Sequence, residues 1–347
     1  MSGAGRTVLV TGATGFLGKA LVPRLAAAGH RLRMLGRSTP AADLLSQGEF
    51  VQGDLEDRAA VKRALAGVEV LYHLAGRVSF DPADGPAMFR LHVAGTRGLL
   101  EEVRARGGLQ RLVLASTSGT IAVSRTERVA TEEDLPPVEV VGRWPYYLSK
   151  IYEERLVLEF GRKHGVPVVV LNPSLLLGPG DQRLSSTWTV MKFLQRDLPA
   201  MPNGGISFVD VRDAAEAFVA ALDRGEVGGK HLMGVNMTMS EFFGRLERIS
   251  GVAAPRLRLP SKVNVAGAKL LEKIAEARGR EPALDAASVD IAEHWFWLDA
   301  RKAERELGFV ARDPQETLQD TVRDLVSRMP ERQWPGTKGR LASLRRG

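Results

Sequence analysis

Thr7-Val8-Leu9-Val10-Thr11-Gly12-Ala13-Thr14-Gly15-Phe16-Leu17-Gly18 decides how this chain folds. Thr7 to Val10 is a short apolar, β-branched run that reads as a strand, and the glycines then follow with G-x-x-G-x-x-G spacing into a helical pattern, Leu17 to Ala28. Glycine lets the backbone turn sharply, approach a pyrophosphate and pack a helix closely on a sheet, while free N–H groups at the helix N-terminus attract the anion. Gly12, Gly15 and Gly18 are therefore assigned to a dinucleotide.

Outward from this turn, strand-like runs at Arg31–Leu35, Val70–Leu74 and Arg111–Ala115 alternate with helical periods at Val61–Ala66 and Ala87–Arg106. The pattern predicts an α/β chain, a Rossmann-type doubly wound parallel sheet with ligands at the C-terminal ends of its strands. The second strand ends in Gly36-Arg37-Ser38, where an acid for the adenosine ribose would stand; Arg33 and Arg37 are expected to pair with a 2′-phosphate instead. NADP(H) is thus expected in preference to NAD(H). Asp54, in Gly53-Asp54-Leu55 after a third short strand, is placed to accept from the adenine amino group, and Ala75 and Gly76 after the fourth strand to lie beside the cofactor. His73 reads as a packed core histidine.

Of the four tyrosines, Tyr146 alone has a lysine four residues on, Lys150, which puts phenol and ammonium on one helical face. A free phenol has a pKa of about 10, so a nearby cation is expected to lower it into service as a proton shuttle. Ser118, after the strand Arg111–Ala115, is expected to hold the reacting oxygen beside Tyr146 while hydride moves, with Lys150 also binding the nicotinamide ribose.

The 347 residues, 44% hydrophobic and 26% charged, suit one large or two fused domains. The absence of cysteine excludes disulfides, thiolate nucleophiles and cysteine-ligated metals, and the six histidines show no ligand spacing, so no metal is expected. Met1 to Arg6 leads straight into the first strand, and Val166–Leu177 is short and broken by Pro167, Asn172 and Pro173, so a cytoplasmic location is expected. Residues 1–174 and 206–225 are assigned to the dinucleotide domain, with Ile206–Leu222 returning to its sheet; 175–205 and 226–330 form a smaller, discontinuous α/β substrate lobe; 331–347 are a basic tail. That tail, with Arg332, Lys338, Arg340, Arg345 and Arg346, reads as a solvated end, and no nucleic-acid partner is expected. Val263–Ala277 is amphipathic and expected to pack on its own lobe, with an apolar substrate, a partner or a membrane surface as alternatives. Trp295, Phe296 and Trp297 alternate, so successive rings face opposite ways.

These residues resemble the extended short-chain dehydrogenase/reductase superfamily, also called the NAD-dependent epimerase/dehydratase family, over nearly the whole chain. The likeness rests on the glycine turn, Gly53-Asp54-Leu55, the Ser118 strand end, Tyr146-x-x-x-Lys150, Asn172-Pro173-Ser174 with Gly178-Pro179-Gly180, and Phe208-Val209-Asp210-Val211-Arg212-Asp213. In the second half, Gly279-Arg280-Glu281-Pro282, Asp299-Ala300-Arg301-Lys302-Ala303 and Glu306-Leu307-Gly308-Phe309 are most similar to dihydroflavonol-reductase-like, 3β-hydroxysteroid-dehydrogenase-like and hopanoid-associated members. The resemblance implies that Phe16 and Leu17 line the pyrophosphate, that Leu55 follows Asp54 in the adenine site, that Pro173 and Ser174 contact nicotinamide, and that the chain forms a homodimer through two helices bordering the site. One departure stands out: the family's usual Asn-Val-x-Gly-Thr reads His92-Val93-Ala94-Gly95-Thr96 here. Sugar-nucleotide dehydratases carry an Asp-Glu pair where this chain has Gly119 and Thr120, so dehydration is disfavoured. The leading expectation is reduction of a ketone or aldehyde, or oxidation of the alcohol, on a small apolar molecule; the alternatives are an NAD-dependent sugar epimerase and a non-catalytic NADPH-binding regulator.

Overall fold

The computed structural model describes residues 5–277 and 285–329. Ten strands are β1 (Thr7–Thr11), β2 (Arg31–Gly36), β3 (Gly48–Gln52), β4 (Val70–His73), β5 (Arg111–Ala115), β6 (Val168–Pro173), β7 (Leu175–Leu177), β8 (Gly205–Asp210), β9 (Lys230–Met233) and β10 (Val235–Thr238). Seven form one parallel sheet in the order β3-β2-β1-β4-β5-β6-β9. The strand order reverses between β1 and β4, opening the crevice where such sheets take ligands.

Parallel strands covered on both faces are apolar throughout. Val8, Leu9 and Val10 are all fully buried, and their alternation feeds two separate cores. Val8 and Val10 pack with Leu21, Leu25 and Phe218 under the helices Phe16–Ala27 and Val211–Ala220; Leu9 packs with Val61, Leu99 and Val157 under Arg58–Leu65, Thr96–Arg106 and Pro145–His164.

The remaining strands make a three-stranded sheet, β10-β8-β7, whose core of Phe208, Phe242, Phe243, Leu246 and Leu325 is closed by the helices Met239–Ser250 and Pro314–Arg328. This corrects one expectation. The strand within 206–222 does not rejoin the large sheet, because β8 is paired on both edges, parallel to β7 and antiparallel to β10. The seventh strand of the large sheet is β9, which pairs with β6 in the register Val170↔Lys230. The helix Val211–Ala220 does return, against Phe16–Ala27. The basic stretch 331–347 and Gly279-Arg280-Glu281-Pro282 lie outside the described residues.

Charge ties the two sheets together. Asp210 caps the helix Val211–Ala220 and pairs with Arg212, which also reaches Asp320 on Pro314–Arg328 at 2.8 Å. Arg312 holds buried Asp213 through Nε (2.9 Å) and Nη2 (2.6 Å). Removing a charged donor from a buried carboxylate costs about 2 kcal/mol. Arg312→Met is therefore expected to lower the urea midpoint by an amount equivalent to about 2 kcal/mol with an unchanged m-value, measured by circular dichroism.

Candidate active site

The glycine turn lies at the end of β1. Gly12 has φ +74°, and a Cβ there would sit 2.6 Å from the Leu74 carbonyl, so only glycine lets β1 and the β4 loop approach this closely. Gly15 is the N-cap of Phe16–Ala27, with no side-chain cap and no acid in the first turn. A Cβ on Gly15 would meet only Gly12 O, at 3.1 Å, and otherwise open space. The helix N-terminus therefore faces a space free of side chains, with uncapped N–H groups, which fits a pyrophosphate. Leu17 and Leu55 bury their side chains in the two cores, leaving only backbone groups for a ligand, while Phe16 is half-buried beside them.

Around this turn the strand ends gather the adenosine side of the site. Arg37 lies immediately after β2, exposed, and its guanidinium has no partner among the described residues. Arg33 does not reach this edge. It sits mid-strand, pairs with Glu49 at 2.8 Å and donates to the carbonyls of Ala64 (3.0 Å) and Ala66 (2.5 Å) at the end of Arg58–Leu65. A cation there satisfies orphan carbonyls and the negative end of the helix dipole, and that is its place instead of a 2′-phosphate. Asp54 is exposed and accepts from the N–H groups of Glu56 (2.9 Å) and Asp57 (3.0 Å) with one carboxylate oxygen, leaving the other available. Ala75 and Gly76 follow β4, and Pro173 and Ser174 close β6, where the Ser174 hydroxyl is buried without a hydrogen-bond partner.

At the end of β5, Thr117 is the residue whose hydroxyl acts on the Tyr146 phenol, favouring its ionised form. The sequence points instead to Ser118, one residue on. Thr117 keeps extended backbone (φ −148°, ψ 150°), so strand alternation continues past β5 and leaves Thr117 partly exposed between the buried Ser116 and Ser118. The buried Ser116 donates to Glu154 at 2.6 Å. Extending the alternation two residues beyond the strand is the signal that finds Thr117.

Lys150 is buried and donates to the Ala115 carbonyl at 2.8 Å and to the Glu153 carboxylate one turn along the helix. Its charge is therefore matched inside the protein. The Tyr146 phenol is raised, not lowered: burial dominates, the Thr117 hydroxyl offsets it in part, and the Glu153 charge adds to it. Tyr146 keeps its proton at neutral pH. Its ring packs against Tyr147 (5.1 Å) and edge-on to Phe80 (6.1 Å), and Tyr147 in turn contacts Phe296 at 5.9 Å. Trp295 and Trp297 meet edge to face at 4.6 Å with their rings against Gly205, so the alternating triplet sends Phe296 alone toward the tyrosines.

The NAD dependent epimerase/dehydratase family model matches residues 8–234, a span that contains the glycine turn, Thr117, Tyr146 and Lys150. The chain belongs to this family. Among its relatives, a putative dihydroflavonol 4-reductase of Synechocystis sp. is 31% identical over 91% of this chain and 92% of its own. Sterol demethylase protein B of Methylococcus capsulatus is 33% identical, covering 91% and 97%. The crystal structure of gox2253 superposes with a TM-score of 0.77 at 29% identity, over 92% of this chain and 97% of that one. The UDP-glucose 4-epimerase of Thermus thermophilus, in complex with NAD, shares the fold with a TM-score of 0.72 at 24% identity, over 93% and 100%. Family membership makes the chain an NAD(P)-dependent oxidoreductase or epimerase in general terms.

Beneath the site of this family member lies a buried polar network that the sequence alone does not assemble. His73 bridges Thr11 (2.7 Å) and Thr96 (2.8 Å), and Thr96 donates to Glu153 at 3.1 Å. Burial pushes the Glu153 carboxyl up, but Lys150 and the His73 hydrogen bond outweigh it and bring it to about 2. The Lys150–Glu153 spacing on one helix face is the available signal.

His92 stands in a π-helical turn, Arg90–Gly95, whose extra residue per turn aims it inward. The Arg77 N–H donates to its Nε2 at 3.0 Å, so the proton is on Nδ1, which donates to Ser149 Oγ (2.8 Å); that hydroxyl donates to the Tyr146 carbonyl at 2.8 Å. His92 thus bridges the loop after β4 to the tyrosine helix. Burial lowers its pKa from 6.5 to about 4, so folding is disfavoured progressively as pH falls through that window, by roughly 3 kcal/mol at its lower end. His92→Asn preserves an acceptor and a donor without the titration. The melting temperature of wild type is expected to fall between pH 6.5 and about 4, and His92→Asn to flatten that slope in a differential-scanning series.

Proposed function

We propose that this chain is an NADP(H)-dependent reductase of a ketone or aldehyde group on an apolar substrate. The observation that carries this reading is the aromatic setting of Tyr146, its phenol raised by burial and set against the rings of Phe80 and Tyr147, with Phe296 behind them and Thr117 acting on its hydroxyl. A phenol whose surroundings favour its neutral form suits the donor step of reduction, because a carbonyl oxygen that gains negative charge must receive a proton. Bound NADPH would supply the hydride. Thr117 orients the acceptor oxygen toward Tyr146, and Lys150, anchored by Ala115 and Glu153, keeps a compensated positive charge under the ribose side of the site.

Support for the phosphorylated cofactor is the unpaired Arg37 at the end of β2, where no carboxylate stands to take a ribose hydroxyl. Support for an apolar substrate is the aromatic wall, and the names of two relatives point the same way: one as a dihydroflavonol reductase, the other as a sterol demethylase component. Glu139 apart, the short helix Val138–Val141 beside that wall is also apolar.

Two experiments test this. Titration of purified protein with NADPH and NADH, followed by nicotinamide fluorescence, is expected to show tighter NADPH binding; Arg37→Ala weakens NADPH by about 10- to 100-fold and leaves NADH unchanged. A preference for NADH, or copurified NAD, would overturn the cofactor assignment and bring the epimerase reading forward. Against a panel of aromatic and polycyclic ketones and aldehydes, Tyr146→Phe is expected to lower kcat by about 10²–10⁴-fold with cofactor affinity retained. Thr117→Val lowers it by about 10²-fold, Thr117→Ser restores much of it, and Ser118→Ala stays near wild type.

A further inference from the structure

The helix Ser261–Ala277 leaves an apolar stripe uncovered. Val263, Leu270, Leu271 and Ile274 are 51%, 61%, 57% and 38% exposed, four exposed large hydrophobic residues on one helix. The helix is nevertheless firmly seated: Ala268 and Asn264 are buried on its inner face, Asn264 donates to Glu293 at 2.7 Å, and the helix packs against Ala286–Ala292. Its outward stripe is therefore presented by a docked helix.

The charges on this helix are sorted. At about 100° per residue, Val263, Leu270 and Ile274 form one line, with Gly267 and Leu271 beside it. Lys262, Lys269 and Lys273 each precede a member of that line by one residue, so the three exposed ammonium groups form a row along one flank of the stripe. By helical register Glu272 falls beyond the lysine row, away from the stripe, and Glu276 stands in line with Lys262 and Lys269 at the end of the helix, so the cationic row covers its first three turns. Just before the helix, Leu257 is 54% exposed between Arg256 and Arg258. Exposed leucines edged by three lysines on one flank match a surface that is apolar within and anionic at its rim.

We infer that this helix docks on an anionic lipid bilayer, its leucine stripe entering the headgroup boundary and its lysine row pairing with lipid phosphates. A long, flexible lysine reaches a phosphate while its methylenes lie along the apolar surface. The partner helix Ala286–Ala292 connects this face to the site: Ile291 packs in the cluster of Tyr146, Tyr147 and Phe296, and Asp290 pairs with Arg143 at 2.8 Å. Docking would therefore set the aromatic wall one helix away from the bilayer, the natural reservoir for an apolar ketone; this last step alone rests on the proposed reduction.

The test is cosedimentation of the full chain with vesicles of phosphatidylcholine alone or containing phosphatidylglycerol. Wild type is expected to pellet with the anionic vesicles, weakly with neutral ones, and less as salt rises. Leu270→Asp with Leu271→Asp is expected to abolish pelleting, and Lys262→Gln with Lys269→Gln and Lys273→Gln to reduce partitioning at least tenfold, with melting temperature and NADPH affinity unchanged in both. Failure of wild type to pellet overturns the inference, as does pelleting that neither variant changes, which would place the contact elsewhere. A dimer in light scattering that the leucine variant converts to monomer, without vesicle binding, would also overturn it and make a second copy the occupant. None of these readouts requires turnover, so they stand or fall apart from the reductase assignment.

Discussion

The buried pairing of Lys150 with Glu153 is the constraint around which this site is arranged. A lysine and a glutamate both removed from water are costly unless each finds its full set of partners. Here the partners come from four directions: the Ala115 carbonyl at the end of β5, Thr96 from the neighbouring helix, and through Thr96 the His73 ring and Thr11 at the ends of β4 and β1. One ion pair thereby fixes the relative positions of three strand ends and two helices. The tyrosine that shares the helix with this pair inherits its placement.

The same pairing governs the electrostatics. Had Lys150 faced Tyr146 uncompensated, its charge would favour a phenolate; with Glu153 at its side, burial decides and the phenol is held neutral. A second arm of the network, Arg77 N–H to His92 to Ser149 to the Tyr146 carbonyl, reaches the same turn of helix from the other side. The imidazole that stands here in place of the usual amide makes the connection through a group whose neutral form the interior enforces.

How much of this the sequence discloses follows from the range of each interaction. The glycine turn is legible because its requirement is local: Gly12 at positive φ against the β4 loop leaves no other residue type. The parallel sheet is legible from its apolar runs, and the tyrosine and lysine from their spacing. The sequence offers Ser118 and leaves adjacent Thr117 aside, because choosing between neighbouring hydroxyls depends on how far the extended backbone continues past β5. Arg33 escapes correct placement because its partners, Ala64 and Ala66, are more than thirty residues away and their position depends on where a helix ends. The fate of β8 turns on which sheet has a free edge, a property of the assembled fold and of no single segment.

The route of the chain has a consequence of its own. It leaves the large sheet after β6, builds β7 and β8, returns as a helix against Phe16–Ala27, re-enters the large sheet as β9 and departs again into β10. With so many crossings, the seven-stranded half and the three-stranded half are stitched into one another, and neither exists as a continuous piece of polypeptide. Gene fusion or exchange of one half for a relative's would require several simultaneous splices. Diversification of substrate preference in such an architecture must therefore proceed by point changes within the stitched frame, at positions such as Phe80 and Phe296 that line it without holding it together.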